Sequence, residues 1–144
     1  MAEGILRTLL ARENIQDVQT ASAGIMAFEG NPAEPFAVAV CGKKDVDISG
    51  HRSTMLTRSM LEESNLVLTM EKMQYLIVRG MIPNDKGKMF LLTAYGGDGS
   101  EDDIEDPIAR DIEAFDDCYN TLHMEILRIL PLVIQAAHDW KEKK

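Results

Sequence analysis

An acidic loop after residue 95 carries the side chain best suited to acid–base chemistry. Residues 96–107 read GGDGSEDDIEDP, and Asp106 stands directly before Pro107. A carboxylic acid can give a proton to a departing oxygen and later take one from water, and the fixed φ of proline stiffens the chain beside it. Asp-Pro is also ordinary turn chemistry, so these residues alone make Asp106 only a candidate acid. The other loop carboxylates read as solvated charges: Asp102, Asp103 and Glu105.

The cysteines and histidines do not form a pattern that binds a metal. Cys41 and Cys118 are far apart in the chain, and there is no C-x-x-C pair. The three histidines share no metal-ligand spacing: His51, His123 and His138. Cys41 lies on an apolar helix face and reads as a buried structural thiol, and Cys118 reads as packing. We therefore predict neither a metal nor a cofactor.

The bulk composition excludes several classes of protein. The chain has 144 residues and a net charge of -9, which argues against nucleic acid because phosphate binding needs clustered Lys and Arg. No apolar run approaches the roughly 20 residues of a membrane span. The first residues do not have the order of a secretory signal. We predict one domain over residues 1–144 in the cytoplasm, with no nucleic-acid or membrane partner.

Helix and strand signals alternate along the chain. Helical spacing, caps and apolar stripes predict helices at 2–13, 31–47, 57–65, 71–81 and 112–140. Short apolar or small-residue runs predict strands at 18–24, 66–69 and 88–95. The second helix is predicted to begin with Asn31 as cap and Pro32 in first position, and Pro131 is predicted to kink or divide the last helix. This alternation predicts an α/β fold with a doubly wound parallel sheet, of which three strands are visible.

Several short stretches, in order along nearly the whole chain, resemble one enzyme family. They are MAEG at 1–4, SAG at 22–24, DVDISGHRS at 45–53, NLVLTME at 65–71, EDP at 105–107, and Tyr119 in the last helix. Together they resemble the low-molecular-weight protein tyrosine phosphatases, a family that includes bacterial protein arginine phosphatases and related arsenate reductases. The chain departs from the family pattern at Asn65, where aspartate is usual.

The resemblance implies a three-layer fold and also points to a missing part. The family's opening signature is a strand followed by C-x5-R and S-P-M-A-E, and MAEG resembles only its end. Six residues beyond Cys41 stands Asp47, and six beyond Cys118 stands Met124. Neither residue binds phosphate as arginine does. We expect that the domain is truncated at its N-terminus, lacks the central first strand and nucleophile loop, and is inactive as given.

The resemblance also implies roles for particular residues. Asp106 matches the general acid, and Ser22 and His51 match residues that brace the phosphate loop. Pro107 and Ile108 match the substrate loop, but Ile108 is not aromatic and gives no ring-stacking wall. The parent family hydrolyses phosphotyrosine or phosphoarginine through a cysteinyl-phosphate intermediate. A phosphorylated protein or a small phosphoester is therefore the expected partner, and an arsenate reductase would need more cysteines.

Two other functions stay open at this point. The chain reads alternatively as a natural pseudophosphatase that dimerises or binds a partner without catalysis. A flavodoxin-like binding domain is a third possibility, although the sequence contains no flavin-binding loop. Loss of a central strand would remove on the order of 5–10 kcal/mol of aliphatic burial and leave strand edges unpaired. We therefore expect either repacking of the sheet or a homodimer with shared or exchanged elements.

Overall fold

The computed structural model describes residues 1–84 and 87–142, in which helices and strands alternate. In chain order the helices are α1 Ala2–Arg12, α2 Pro35–Gly42, α3 Arg58–Glu63, α4 Lys72–Met81 and α5 Ile112–Glu142. The strands in these ranges are β1 Val67–Thr69 and β2 Met89–Leu91, and a 3₁₀ turn at Leu92–Ala94 follows β2. The predicted α/β class is confirmed. Across the described ranges, no helix combines the length and apolar character needed to cross a bilayer.

β1 and β2 form a parallel pair that α4 connects. Val67 aligns with Met89 and Thr69 with Leu91, and the amide of Val67 donates to the carbonyl oxygen of Lys88 at 2.9 Å. Parallel neighbours need a crossover connection, which here is a helix. The predicted β-α-β unit is therefore confirmed. The predicted strand at 88–95 is too long, because the chain turns into the 3₁₀ conformation after β2.

The predicted strand at 18–24 is wrong. In the part of the chain that the structure describes, its ladder is reduced to one isolated parallel bridge between Gly24 and Met55. Gly24 donates to the carbonyl oxygen of Thr54 at 3.0 Å and accepts from the amide of Leu56 at 2.9 Å. The preceding small side chains are exposed, so they bury little area against any neighbour. A strand needs cross-strand packing, which alanine and serine provide poorly.

The predicted start of α2 is also wrong. The helix begins at Pro35, and its cap is Glu34, whose carboxylate accepts from the amide of Phe36 at 2.6 Å. A residue before proline is pushed out of the helical region, and Glu34 has ψ 134°. A helix starting at Pro32 would have needed Glu34 in helical conformation. The backbone of Asn31 instead pairs with Ser53, which donates to its carbonyl oxygen at 2.8 Å.

α5 is one continuous helix that contains Pro131, so of the predicted kink or division the division is wrong. A proline inside a helix costs about 3 kcal/mol, because it removes a hydrogen bond and crowds the preceding turn. The buried stripe on both sides of Pro131 offsets this cost, at roughly 1.5–3 kcal/mol for each large aliphatic side chain. The stripe packs into the main core with residues of α1 and α2; its buried members are Leu122, Ile126, Ile129, Leu130 and Val133.

Replacing Ile129 by alanine tests the role of this stripe. Ile129 has 0% exposed surface, so we expect Ile129→Ala to lower the free energy of unfolding by about 2–5 kcal/mol. Leu76→Ala removes as many carbons from α4, where the leucine is 62% exposed, and should change it by less than about 0.5 kcal/mol. Urea unfolding followed by circular dichroism measures both variants. Equal losses would contradict the assigned core.

Candidate active site at the amino end of α1

Glu3, in the first turn of α1, is the centre of a group of polar side chains. Its Oε2 accepts a hydrogen bond from Ser22 Oγ at 2.5 Å and lies 3.7 Å from His51 Nδ1. Its Oε1 accepts from the guanidinium of Arg7, one helical turn later, at 3.0 Å. We call these four residues the Glu3 cluster. The structure thus brings Ser22 and His51 together at Glu3. The family resemblance had implied that both residues brace the phosphate loop.

Glu3 itself is not among the predicted site residues. Its side chain is only 18% exposed, and a carboxylate is favoured at this end of a helix because the helix dipole is positive there. An acidic residue in a first turn, four residues before Arg7, is a pattern that the sequence contains. What the sequence does not contain is the distance of Glu3 from Ser22, since that contact joins residues 19 positions apart.

The turn that carries His51 is fixed to α1 by Arg7. Asp47 Oδ1 accepts from the hydroxyl of Ser49 at 2.7 Å and from its amide at 2.9 Å. These two hydrogen bonds, with a smaller contribution from Arg7, lower the pKa of the Asp47 carboxyl group. Arg7 also donates to the carbonyl oxygen of Asp47 at 3.0 Å. The amide of His51 closes the turn by donating to Ile48 at 3.1 Å.

A cleft of about 660 Å³ opens beside the Glu3 cluster. Met1 and Gly4 line it on the side of α1, and Arg52 and Thr54 line it on the side of the His51 turn. All four members of the Glu3 cluster also face this space. Both signs of charge therefore meet in the cleft, so it is suited to polar groups rather than to an apolar ligand.

The acidic loop, residues 96–107, is held in place by buried contacts. The hydroxyl of Thr93, which is buried, donates to the carbonyl oxygen of Asp102 at 2.7 Å. The amide of Ile104 donates to the carbonyl oxygen of Met70 at 2.9 Å, and its side chain packs into the core. A loop with a buried aliphatic anchor and internal hydrogen bonds opens less readily than a free surface loop.

Asp103 does not have the role that the sequence indicated. Its carboxylate Oδ1 accepts a hydrogen bond from the backbone amide of Lys72 at 2.8 Å. Lys72 is the first residue of α4, where amides have no partner within the helix. The prediction of a merely solvated charge is therefore wrong for Asp103. This carboxylate caps α4 from a distant part of the chain and fixes the acidic loop to it.

Asp106 is exposed, and Pro107 beside it is buried. The Oδ1 of Asp106 accepts from the amide of Ile108 at 2.9 Å, and the amide of Arg110 donates to the carbonyl oxygen of Pro107 at 3.0 Å. These two hydrogen bonds close a compact turn, in which the Ile108 amide contacts Oδ1 of Asp106 and not Oδ2. The side chain of Ile108 is 64% exposed next to it. The turn therefore presents a carboxylate and an apolar side chain together.

Both cysteine thiols have raised pKa values. Burial raises the pKa of Cys118; the amino-terminal ammonium of Met1 opposes this, and the carboxylate of Asp106 adds to it. Burial likewise raises the pKa of Cys41, whose side chain has no exposed surface, so the predicted buried thiol is confirmed. Neither cysteine has the lowered pKa of an activated nucleophile.

Within residues 1–84 and 87–142, no hydrogen bond joins the side chain of Asp106 to the Glu3 cluster. The arrangement therefore has two parts, a braced group of polar side chains in the first turn of α1 and a loop that presents a carboxylate. The carboxylate of Asp106 can take part in proton transfer. The geometry of these residues includes no thiolate nucleophile in that position.

Comparisons with known proteins agree on the family of this chain. The family described as low molecular weight phosphotyrosine protein phosphatase matches residues 1–138. A probable low molecular weight protein-tyrosine-phosphatase, EpsP of Ralstonia solanacearum, is 36% identical over 108 residues, which are 75% of this chain and 72% of that protein. The protein-arginine-phosphatase of Bacillus subtilis (strain 168) is 31% identical over 130 residues, 90% of this chain and 84% of that protein.

The fold agrees with solved structures as well. The crystal structure of a low molecular weight protein tyrosine phosphatase from T. tengcongensis superposes with a TM-score of 0.83 at 30% identity. The superposition covers 90% of this chain and 87% of that one. The small parallel sheet and its surrounding helices therefore have the arrangement of that structure.

A double-mutant cycle on Glu3→Ala and Ser22→Ala tests the Glu3 cluster. Each single change should destabilise the fold, and the double variant should lose about 1 kcal/mol less than their sum, because one hydrogen bond is removed twice. Urea unfolding of the four proteins measures this coupling. Arg58 and Glu62, an exposed ion pair on α3, give a matched control with at most about 0.5 kcal/mol. Equal coupling in the two pairs would contradict the assignment.

Proposed function

This chain belongs to the low molecular weight phosphotyrosine protein phosphatase family, and on that basis we propose that its site is built for phosphomonoester hydrolysis on phosphorylated proteins. The relatives include both a probable protein-tyrosine-phosphatase and a protein-arginine-phosphatase. Phosphotyrosine and phosphoarginine are therefore the two substrate groups in this proposal, with a small phosphoester as a third. The observation that carries it is the closed turn, with the buried Pro107 beside it, that presents the exposed carboxylate of Asp106.

In this proposal Asp106 is the general acid. In the parent family the phosphoryl group passes to the thiolate of the C-x5-R cysteine, a residue that positions 1–144 do not contain. As that bond forms, the Asp106 proton passes to the leaving oxygen of the phosphoester, or to the leaving nitrogen of phosphoarginine. A tyrosine phenolate, with a pKa of about 10, leaves poorly without that proton. In the second step the Asp106 carboxylate takes a proton from the water that attacks phosphorus. The buried Pro107 and the Ile108 amide support this role by holding the carboxylate in one orientation.

Ser22 and His51 have the supporting role in the same proposal. Both act on Glu3, so they orient the first turn of α1. Amides at a helix amino end are a natural site for phosphate, because they lack partners and the dipole is positive. Ile108 supplies an apolar contact for the substrate side chain. A flat phenyl ring would have no aromatic partner on this residue, which leaves phosphoarginine as well placed as phosphotyrosine.

The sequence of residues 1–144 contains no C-x5-R motif. A cysteinyl-phosphate mechanism needs an activated thiolate, and arginine is the residue that holds phosphate in a bidentate manner. We therefore propose that a polypeptide of these 144 residues does not turn over phosphate esters. We place the parent activity in the cytoplasm, where thiols such as Cys41 and Cys118 stay reduced.

A non-catalytic role is the second candidate, and the free edge of β1 favours it. In residues 1–84 and 87–142, β1 pairs on one side only, with β2. An unpaired strand edge is a template for a further strand. We propose that a homodimer with shared or exchanged elements covers this edge of β1. Translating the DNA upstream of Met1 separates the candidates, because an in-frame C-x5-R favours the enzyme and a nearby stop codon favours the pseudophosphatase.

Turnover of p-nitrophenyl phosphate tests the catalytic proposal. We expect the 144-residue chain to show none above buffer, because its cysteines have raised pKa values and no arginine follows them at the required spacing. Activity that survives metal chelation and disappears in Cys41→Ser or Cys118→Ser would contradict this.

The same assay on a longer chain that carries C-x5-R before residue 1 tests the acid. There we expect Asp106→Asn to lower kcat by about 10²–10⁴-fold, and Asp102→Asn, in the same loop, to leave it nearly unchanged.

Light scattering after size exclusion tests the homodimer. We expect a dimer at micromolar concentration, because pairing of β1 edges satisfies backbone groups that are otherwise left to water. Dilution below the dissociation constant should give the monomer. A stable monomer across the whole micromolar range would rule the homodimer out.

A further inference from the structure

Arg128 on α5 donates all of its N–H groups although only 19% of its side chain is exposed. Nε and one terminal nitrogen donate to Glu125 Oε2 at 2.9 and 2.7 Å. The other terminal nitrogen donates to the carboxylate of Asp98 and, at 2.7 Å, to the carbonyl oxygen of Tyr95. The remaining contacts are to the carbonyl oxygens of Leu92 and Thr93, at 3.2 and 3.3 Å. A guanidinium has five N–H donors, and here each has an acceptor.

The charges around Arg128 keep this arrangement ionised. Burial alone would lower the pKa of Arg128, but hydrogen bonds and attraction from Glu125 and Asp98 outweigh it, so the pKa is raised. Glu125 is itself only 16% exposed, so the pair is largely shielded from water. Shielded, hydrogen-bonded charges interact more strongly than exposed ones. Arg128 is thus a fixed point and not a mobile surface cation.

Apart from Glu125, the acceptors of Arg128 are all at the start of the acidic loop. Three are carbonyl oxygens of the 3₁₀ turn and of Tyr95, directly before Gly96, and the fourth is Asp98 within the loop. Gly99 then packs against the same place: a Cβ there would lie 1.6 Å from the carbonyl oxygen of Thr93. The loop therefore leaves β2 along a path that Arg128 defines.

The path continues from these contacts toward Asp106. The hydroxyl of Thr93 donates to the carbonyl oxygen of Asp102, and the amide of Ile104 donates to Met70. Arg128 thus donates to the carbonyl oxygen of Thr93, and the hydroxyl of Thr93 in turn donates to the loop at Asp102. One residue, Glu105, separates Ile104 from Asp106.

We propose that Arg128 is a positioning residue, which fixes the acidic loop and so sets where Asp106 stands relative to the amino end of α1. This inference rests on the proposed role of Asp106 as general acid. Arg128 touches no reacting group; it acts through the 3₁₀ turn, Thr93 and the loop backbone. Lysine cannot take its place, because one ammonium cannot reach acceptors spread around a planar fork.

Hydrogen–deuterium exchange on the 144-residue chain tests the proposal. In Arg128→Met we expect amides of residues 98–108 to exchange about tenfold faster or more, relative to amides of α1 in the same protein. Arg128→Lys should restore the midpoint of global unfolding at least in part, since its stem refills the space, but should not restore loop protection. Arg58→Met, which removes an exposed cation from α3, should leave the loop unchanged.

Thr93→Val provides the test if Arg128→Met does not fold. It removes only the hydroxyl that reaches Asp102, and we expect loop exchange to rise by about fivefold with α1 unchanged. Thr121→Val is its control, because the hydroxyl of Thr121 bonds within α5 at the carbonyl oxygen of Asp117.

The proposal is overturned if loop protection is unchanged in a folded variant, if loop and α1 amides accelerate in parallel, or if Arg128→Lys restores the loop. None of these readouts depends on turnover. A failure of Arg128 as positioning residue is therefore distinct from a failure of Asp106 in the phosphatase assay.

Discussion

The burial of one stripe of α5 against α1 and α2 holds both parts of the site in place. Ile5 of α1 and Ile129 of α5 have no exposed surface, and both belong to the same core. Burial contributes about 1.5–3 kcal/mol for each such side chain, whereas a typical hydrogen bond contributes about 0.5–1.5 kcal/mol net. Glu3 lies on α1 and Arg128 on α5. Packing therefore sets where these two polar centres stand, and their hydrogen bonds fix the segments around them.

Features that depend on neighbours in the chain were predictable from the sequence. The caps and apolar spacing of α1, α3 and α4 are local, and these helices lie where the pattern indicates. The sequence could not show that residues 18–24 form no strand, because a strand exists only if another segment pairs with it. The pattern allowed α2 to begin at Pro32 or at Pro35. It begins at Pro35, because the residue before this proline, Glu34, is held out of the helical region.

The contacts of the site are less visible in the sequence because they are long-range. Asp103 caps a helix 31 positions earlier, and Arg128 binds carbonyl oxygens 33 to 36 positions earlier. In the sequence each is an ordinary surface charge. The motif order identified Asp106, Ser22 and His51 as candidates, but the residues that hold them emerge only when the chain is folded.

Several carboxylates lie close together in the acidic loop. Three of them contact a positively charged or partially positive group. Asp98 meets Arg128, Asp103 meets the amino end of α4, and Glu105 lies 3.6 Å from Arg110. Repulsion within the loop is thus distributed over three separate attachments. Asp106, the carboxylate that the proposed chemistry needs, takes part in none of these three attachments and accepts from the Ile108 amide within its own turn.

Gly99 has a consequence for how this protein can vary. Any side chain at this position would collide with the carbonyl oxygen of Thr93, which is backbone and cannot turn away. The exposed Ser100 has no such restriction. A library that randomises the acidic loop would therefore recover glycine at position 99, and would favour it at positions 96 and 97, where φ is +93° and +79°. Gly99 thus contributes to the site by having no side chain, which lets the loop backbone pass close to Thr93.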